Sequence, residues 1–235
     1  MQITEAIILA GGLGTRLRPA VSDLPKSMAP VAGKSFIDHI INYYSQQGII
    51  HFVFSLGYKS EIIVEHLKTN FKNLSYSLVV EKEALGTGGA VLLACQKSQT
   101  ENPLILNGDT FFQVNLQSLS EFHDKTRADC TLVLKPMKNS NRYGTVELGA
   151  GAEILSFKEK AFFREALING GIYVLNKNRF LTEGLPEKHS FEKDYLEQFI
   201  GKRKIFGQIQ DRYFIDIGIP EDFERAQTEL ADLLK

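Results

Sequence analysis

From Ile3 to Leu106, short apolar runs alternate with segments whose apolar residues recur every three to four positions. Ile3 to Leu9 reads as a buried strand, and Phe36-Ile37, Ile40-Ile41 and Tyr44 repeat at helical spacing until the Gln47-Gly48 stop. A strand at Ile49 to Leu56, a helix at Ser60 to Leu67, a strand at Ser75 to Val80, a helix at Thr87 to Lys97 and a strand at Leu104 to Leu106 follow. Strands that alternate with helices join through right-handed crossovers into a mainly parallel sheet covered on both faces. After Asp109 the pattern changes to a helix at Leu116 to Thr126 and then a strand-rich stretch: Cys130 to Lys135, Gly144 to Leu148, Ile154 to Phe157 and Gly171 to Leu175. A terminal helix is expected from Pro220, whose ring presets the first helical φ. No internal repeat or low-complexity linker divides the 235 residues, so the expectation is one domain, 1–235, whose second half packs on the first.

With 43% hydrophobic residues, a chain of this length buries roughly 75% of its unfolded surface. Its 27 Lys and Arg and 28 Asp and Glu are spread along the chain without blocks, which argues against nucleic acid or an anionic membrane as partner. Glu5 precedes an apolar run that stops at paired glycines, too short for a signal peptide or a spanning helix, and a cytoplasmic location is expected. Cys95 and Cys130 sit in apolar segments with no CxxC or Cys/His spacing and read as buried reduced thiols. His39, His51, His66, His123 and His189 are scattered without ligand spacing. Whether the chain self-associates stays open.

Residues 9–18 read LAGGLGTRLR, a glycine-rich turn that leaves an apolar strand and ends in two arginines. A dinucleotide fingerprint needs a third glycine where Leu17 stands, and a P-loop needs Gly-Lys-Ser/Thr where Arg16-Leu17-Arg18 stands. What remains is a loop, Gly11-Gly12-Leu13-Gly14, with no Cβ at three of its positions, whose backbone can approach a ligand closely and aim N–H groups at phosphate oxygens. Arg16 adds a planar charged fork and Lys26 a flexible point charge on the same long turn. Taken alone, the loop reads as a plain glycine turn with surface arginines.

GGLGTRLRP followed by LPKSMAPVAGKSF resembles the nucleotide-binding signature of the sugar-1-phosphate nucleotidyltransferases, GGxGTRLxPLT and PKPMxPVxxKP. The resemblance continues through EKEALGTGGA, LNGDTFF, RYGTVEL, SFKEK, LINGGIYVL and FIDIGIPEDFERA, which spans nearly the whole chain. Ala20, Ser27 and Ala84 depart from the family pattern without removing a charge or a glycine. The resemblance implies an α/β, Rossmann-like three-layer αβα fold with a mainly parallel mixed central sheet. Residues 1–110 are then mainly the nucleotide-binding half and 111–235 mainly the sugar-phosphate-binding half.

Members of that family join a nucleoside triphosphate to a sugar 1-phosphate and release pyrophosphate by in-line attack on the α-phosphorus, so the protein must supply cations and a metal. The resemblance makes Leu9, Gly11, Gly12, Gly14, Thr15 and Arg16 nucleotide-binding positions. Lys26 matches the lysine that bridges phosphates, and Arg16 the residue that holds the leaving pyrophosphate. Asp109, after an apolar strand, and Asp216, between apolar neighbours, suit Mg²⁺, although either alone reads as a turn or cap residue. Arg16, Lys26 and Asp109 are the catalytic expectations. Lys160 matches a lysine that grips the sugar phosphate, Glu159 an acceptor for sugar hydroxyls, and Gly144, Asn169 and Gly170 the lining of the sugar pocket. Without the resemblance, Lys158-Glu159-Lys160 reads as a solvated charge cluster and the glycines as strand-edge turns.

Glu81 falls where relatives read the nucleobase, just before Leu85-Gly86-Thr87-Gly88-Gly89, whose Gly86 and Thr87 are expected to lie against the base. A carboxylate accepts from guanine N1–H and N2–H₂ but meets two repelling carbonyls on uracil or thymine, which favours GTP. Glu81-Lys82-Glu83 also fits an exposed charge run. The length and the wording of EKExLGTGGA, LNGDTFF and INGGIY resemble the bacterial heptose 1-phosphate guanylyltransferases within the family. The alternatives are a uridylyltransferase for an amino sugar 1-phosphate such as N-acetylmuramate 1-phosphate, a mannose 1-phosphate guanylyltransferase, and a catalytically silent nucleotide-sugar-binding regulator. Retention of Arg16, Lys26, Asp109 and Asp216 speaks against the last.

Overall fold

The computed structural model describes residues 2–12, 14, 17, 21, 23–158 and 160–233. The chain runs through β1 (Glu5–Ala10), a 3₁₀ turn (Lys26–Met28), the hairpin β2 (Pro30–Val31) and β3 (Lys34–Ser35), α1 (Phe36–Gln46), β4 (His51–Leu56), α2 (Ser60–Asn70) and β5 (Ser75–Val80). Next come α3 (Gly86–Cys95), β6 (Leu104–Asn107), β7 (Thr110–Phe112), α4 (Leu116–Thr126), β8 (Cys130–Ser140), β9 (Thr145–Leu148) and β10 (Ile154–Lys158). The last quarter adds β11 (Phe163–Leu175), α5 (Lys177–Leu181), a π-helical segment (Phe191–Glu197), β12 (Ile205–Ile209), β13 (Phe214–Asp216) and α6 (Pro220–Leu233).

In the main sheet the neighbours run β10-β9-β11-β6-β1-β4-β5, while β8 branches from β11 and carries β12. Pairing is parallel for β1 with β4 and β6, for β4 with β5 and for β8 with β12. β11 runs antiparallel to β6, β8 and β9, which makes the sheet mixed, as expected of the family's three-layer α/β fold. From β1 the chain steps outward to β4 and β5 and then returns through α3 to β6, on the other side of β1. The strand order therefore reverses beside β1, and the C-terminal ends of β1 and β6 open the crevice where such sheets hold ligands.

β1 shows why both faces must be covered. Ala6, Ile8 and Ala10 pack into a core shared with α1, α2 and α6, and Ile7 points into a second core built by α3, α5 and the π-helical segment. α1 buries Phe36, Ile37, Ile40, Ile41 and Tyr44, an i, i+3, i+4 stripe, and each such large side chain contributes about 1.5–3 kcal/mol of burial. Among the described residues no helix is long and apolar enough to cross a membrane. Both cysteines are buried free thiols, as read from the sequence.

Several strands differ from their apolar runs. β11 begins at Phe163 rather than Gly171, and its register against β8 shifts between Asn169 and Tyr173, which breaks the alternation at Asn169-Gly170-Gly171. β12 hides behind Gly207, where an added Cβ would lie 2.4 Å from Leu134 Cδ1. β7 and β13 are three residues each, too short to show a period, yet they pair antiparallel and set Asp216 opposite Thr110.

Candidate active site

β1 delivers Gly11 and Gly12 to the mouth of a cavity of about 470 Å³ at the reversal point of the sheet. Leu9, Gly11, Gly12, Gly14, Glu81, Gly86 and Thr87 line it, together with Lys26 and Asp109. Thr15 and Arg16, the other two nucleotide-side residues expected from the sequence, lie outside the described residues. Lys26 comes from the 3₁₀ turn, Glu81 from the residue after β5, Gly86 and Thr87 from the start of α3, and Asp109 from the bend between β6 and β7.

Lys26 Nζ donates to Asp109 Oδ2 at 2.5 Å and lies 3.5 Å from Asp216 Oδ1. The β7–β13 pairing brings the two aspartates together, and Ile217 N seals the join by donating to Asp109 O at 3.0 Å. Burial pushes the Asp216 carboxyl above the usual carboxylate range, and the charge of Asp109 pushes the same way. The Lys26 ammonium pulls it back, with smaller help from Gly218 N–H and Arg142. Two carboxylates thus compete for one ammonium. Hard oxygen donors with excess negative charge fit a divalent cation such as Mg²⁺, which uses one or two carboxylates and takes water and phosphate oxygens for the rest. Among the described residues no three His, Cys, Asp or Glu side chains converge to hold a metal.

Glu81 faces this cavity across the β1 loop. An added Cβ at Gly11 would lie 2.7 Å from Glu81 Oε1, so only glycine admits that approach. Glu81 Oε2 accepts from Leu85 N at 3.0 Å, which leaves Oε1 and one further lone pair for a base. Burial raises the Glu81 pKa, and the Leu85 N–H opposes the rise. The Gly86-Thr87-Gly88-Gly89 turn divides its work. Gly86 and Thr87 line the cavity, whereas the N–H groups of Gly88 and Gly89 donate to His189 O at 3.0 and 3.3 Å. An added Cβ on Gly88 would lie 2.2 Å from His189 Cδ2, so this glycine admits the 187–189 segment against the opening of α3.

Asp216 also lines a second cavity of about 840 Å³ with Arg142, Tyr143, Asp222 and Arg225. Asn169 lies on β11, where its Oδ1 accepts from Gly171 N at 3.0 Å and its Nδ2 donates to Tyr173 OH at 2.8 Å. Gly170 packs on the Phe112 ring, with an added Cβ 2.6 Å from Cε1, and an added Cβ on Gly144 would lie 2.8 Å from Lys158 O. Their small size thus serves strand packing in this conformation. Lys160 is exposed in the turn after β10, and none of Gly144, Lys160, Asn169 and Gly170 lines the two cavities. Glu159 lies outside the described residues.

The sequence does not single out Arg142, Asp222 or Glu192. Arg142 ion-pairs with Asp222, whose side chain is only 5% exposed and which also takes Arg225 at 2.8 Å. The guanidinium stands 5.3 Å from the Tyr143 ring centroid. The available signals were an arginine two residues before Gly144 and an acid in the first turn of α6.

A family model described as nucleotidyl transferase matches residues 5–232. The chain belongs to that family. A D-glycero-α-D-manno-heptose 1-phosphate guanylyltransferase of Aneurinibacillus thermoaerophilus is 49% identical over 226 residues, 96% of this chain and 98% of that one. One of the same description from Campylobacter jejuni is 43% identical over 219 residues, 93% and 96% of the two chains. The crystal structure of HddC from Yersinia pseudotuberculosis complexed with GMP-PN aligns with a TM-score of 0.87 at 31% identity, covering 99% of this chain and all of that one. In this nucleotidyl transferase the matched span takes in every site residue named above.

Proposed function

We propose that this nucleotidyl transferase joins GTP to D-glycero-α-D-manno-heptose 1-phosphate, giving GDP-heptose for surface polysaccharide and releasing pyrophosphate. The observation that carries the reading is the meeting of Lys26, Asp109 and Asp216 beside a cavity lined by the glycine loop and Glu81. Heptose guanylyltransferases alike over nearly their full length support the substrate pair. Residues 1–110 mainly take the nucleotide and 111–235 mainly the sugar phosphate, within one unit. Its partners are these small molecules, and its place is the cytoplasm.

The sugar phosphate oxygen attacks the α-phosphorus in line. Two polyanions must meet, so catalysis is charge neutralisation and alignment. Lys26, already beside both carboxylates, is the cation that bridges the phosphates, and Arg16 holds the departing pyrophosphate. Asp109 and Asp216 would hold Mg²⁺, which when bound would neutralise phosphate charge. Glu81 accepts from guanine while Gly86 and Thr87 pack the base. Gly144, Glu159, Lys160, Asn169 and Gly170 take the sugar phosphate. The reaction is a single displacement with inversion at the α-phosphorus.

The test is pyrophosphate release from GTP, UTP, dTTP, CTP and ATP, each against heptose, mannose and amino sugar 1-phosphates. GTP with the heptose should lead, EDTA should abolish release and Mg²⁺ restore it. Asp109→Ala or Asp216→Ala should lose at least about a hundredfold in kcat, the scale of removing one electrostatic stabiliser. Preference for UTP, or full activity of either variant, overturns the reading.

A further inference from the structure

Glu192, at the start of the π-helical segment, collects three hydroxyl groups. Thr87 Oγ1 donates to its Oε2 at 2.7 Å, Ser190 Oγ to the same oxygen at 3.1 Å, and Tyr173 OH to Oε1 at 3.5 Å, the longest of the three. The direction of each bond is set from behind. Thr87 Oγ1 accepts from Phe191 N at 2.9 Å, Ser190 Oγ from Lys193 N at 3.2 Å, and Tyr173 OH from Asn169 Nδ2 at 2.8 Å. A hydroxyl that accepts from an N–H keeps one proton to give, so all three protons point at Glu192. An acceptor-only carboxylate satisfies them together. An amide of the same size would turn an NH₂ group toward at least one hydroxyl proton.

The same polarity reaches Asn169. Its Oδ1 is held by Gly171 N, which leaves Nδ2 for Tyr173 OH, and Glu192 takes the Tyr173 proton so that this oxygen faces Nδ2 as an acceptor. One N–H and one lone pair of the amide remain, in a fixed order. At the other end of the chain of bonds stands Thr87, which lines the nucleotide cavity, whereas Glu192, Tyr173 and Ser190 do not line it and act through their neighbours. Tyr173 is 1% exposed, so no solvent hydroxyl substitutes for its partners.

We propose that Glu192 is a positioning residue that fixes which atoms of Asn169 face the sugar 1-phosphate and links that orientation, through Thr87, to the nucleotide cavity. The proposal rests on the functional reading above, in which Asn169 meets the sugar.

Glu192→Gln tests it by supplying a donor where three donors already point. With GTP saturating, KM for the sugar 1-phosphate should rise about tenfold, the worth of one hydrogen bond to a charged group, while kcat stays within about twofold. Tyr173→Phe cuts the link from the Asn169 side and leaves Glu192 its bonds to Thr87 and Ser190, so it stands in if Glu192→Gln fails to fold. It should raise the same KM, and the double variant should lose little more than either single one. A structural role alone would lower the melting temperature and reduce kcat with no selective change in the sugar KM. A second readout needs no turnover: the Asn169 side-chain amide resonances of ¹⁵N-labelled protein, identified by their loss in Asn169→Asp, should shift in Glu192→Gln. If the wild type turns over no pair of substrates, the functional reading fails and the amide resonances still decide the linkage. Unchanged resonances, or an unchanged sugar KM in an active enzyme, overturn the proposal.

Discussion

Burial raises the pKa of Glu81, and the Leu85 N–H pulls it back only in part, so in the free protein the neutral carboxyl persists to higher pH than in an ordinary glutamate. Guanine N1–H and N2–H₂ need the ionised form. GTP binding should therefore release a proton near that raised pKa, and KM for GTP should climb as pH falls through it. Glu81→Gln removes the titration, so the acid limb should flatten. A lost charged hydrogen bond of roughly 1.5–3 kcal/mol should cut kcat/KM for GTP about ten- to a hundredfold, with UTP held or improved. Profiles of kcat/KM against pH for both nucleotides and both proteins check this, and parallel limbs would place the titrating group elsewhere. Glu81 was legible as a charge just ahead of the LGTGG turn, and Lys26, Asp109 and Asp216 from their motifs. The commitment of one Glu81 oxygen to Leu85 was not, because it exists only once that turn has closed.

α6 starts where the sequence places it, at Pro220, and its first turn carries Glu221 and Asp222, which favour a helix N-terminus. Asp222 also gathers Arg142 from the β8–β9 turn and Arg225 from its own helix. Both arginines are partly exposed, so solvent screens the pairs, and Asp222→Ala should cost about 1–2 kcal/mol rather than the larger loss of a fully buried pair. For a chain of this size that lowers Tm by roughly 3–6 °C, with Asp222→Asn in between, and calorimetry reads it directly. An unchanged Tm in Asp222→Ala would mean the pairs contribute nothing to stability. Elements with several turns or a clear alternation, such as α4 and β5, were readable from period alone. β7 and β13 were not, although their pairing builds the aspartate site, since three residues carry no period and the pairing is non-local.

At the scale of the whole molecule, the two faces of the sheet hold separate cores that share β1, and both cysteines lie in the one beneath α3 and the π-helical segment. Burial pushes the Cys95 thiol up to about 12 and Cys130 higher still. At neutral pH neither should react with a disulfide reagent faster than the protein unfolds, while denaturant should expose both. Quick labelling of one thiol in the native protein would show that this core opens locally. The alternating order of the first half made the doubly wound sheet legible, but the entry of the second half through β11, beside β6, depends on long-range pairing that no local pattern records. The stretch from Glu187 to Glu197 reaches the opening of α3 through His189 and β11 through Glu192, whereas Lys26, Asp109 and Asp216 are carried by other elements. A change within that stretch would thus disturb the opening of α3 and the middle of β11 together, while the charged centre keeps its own supports.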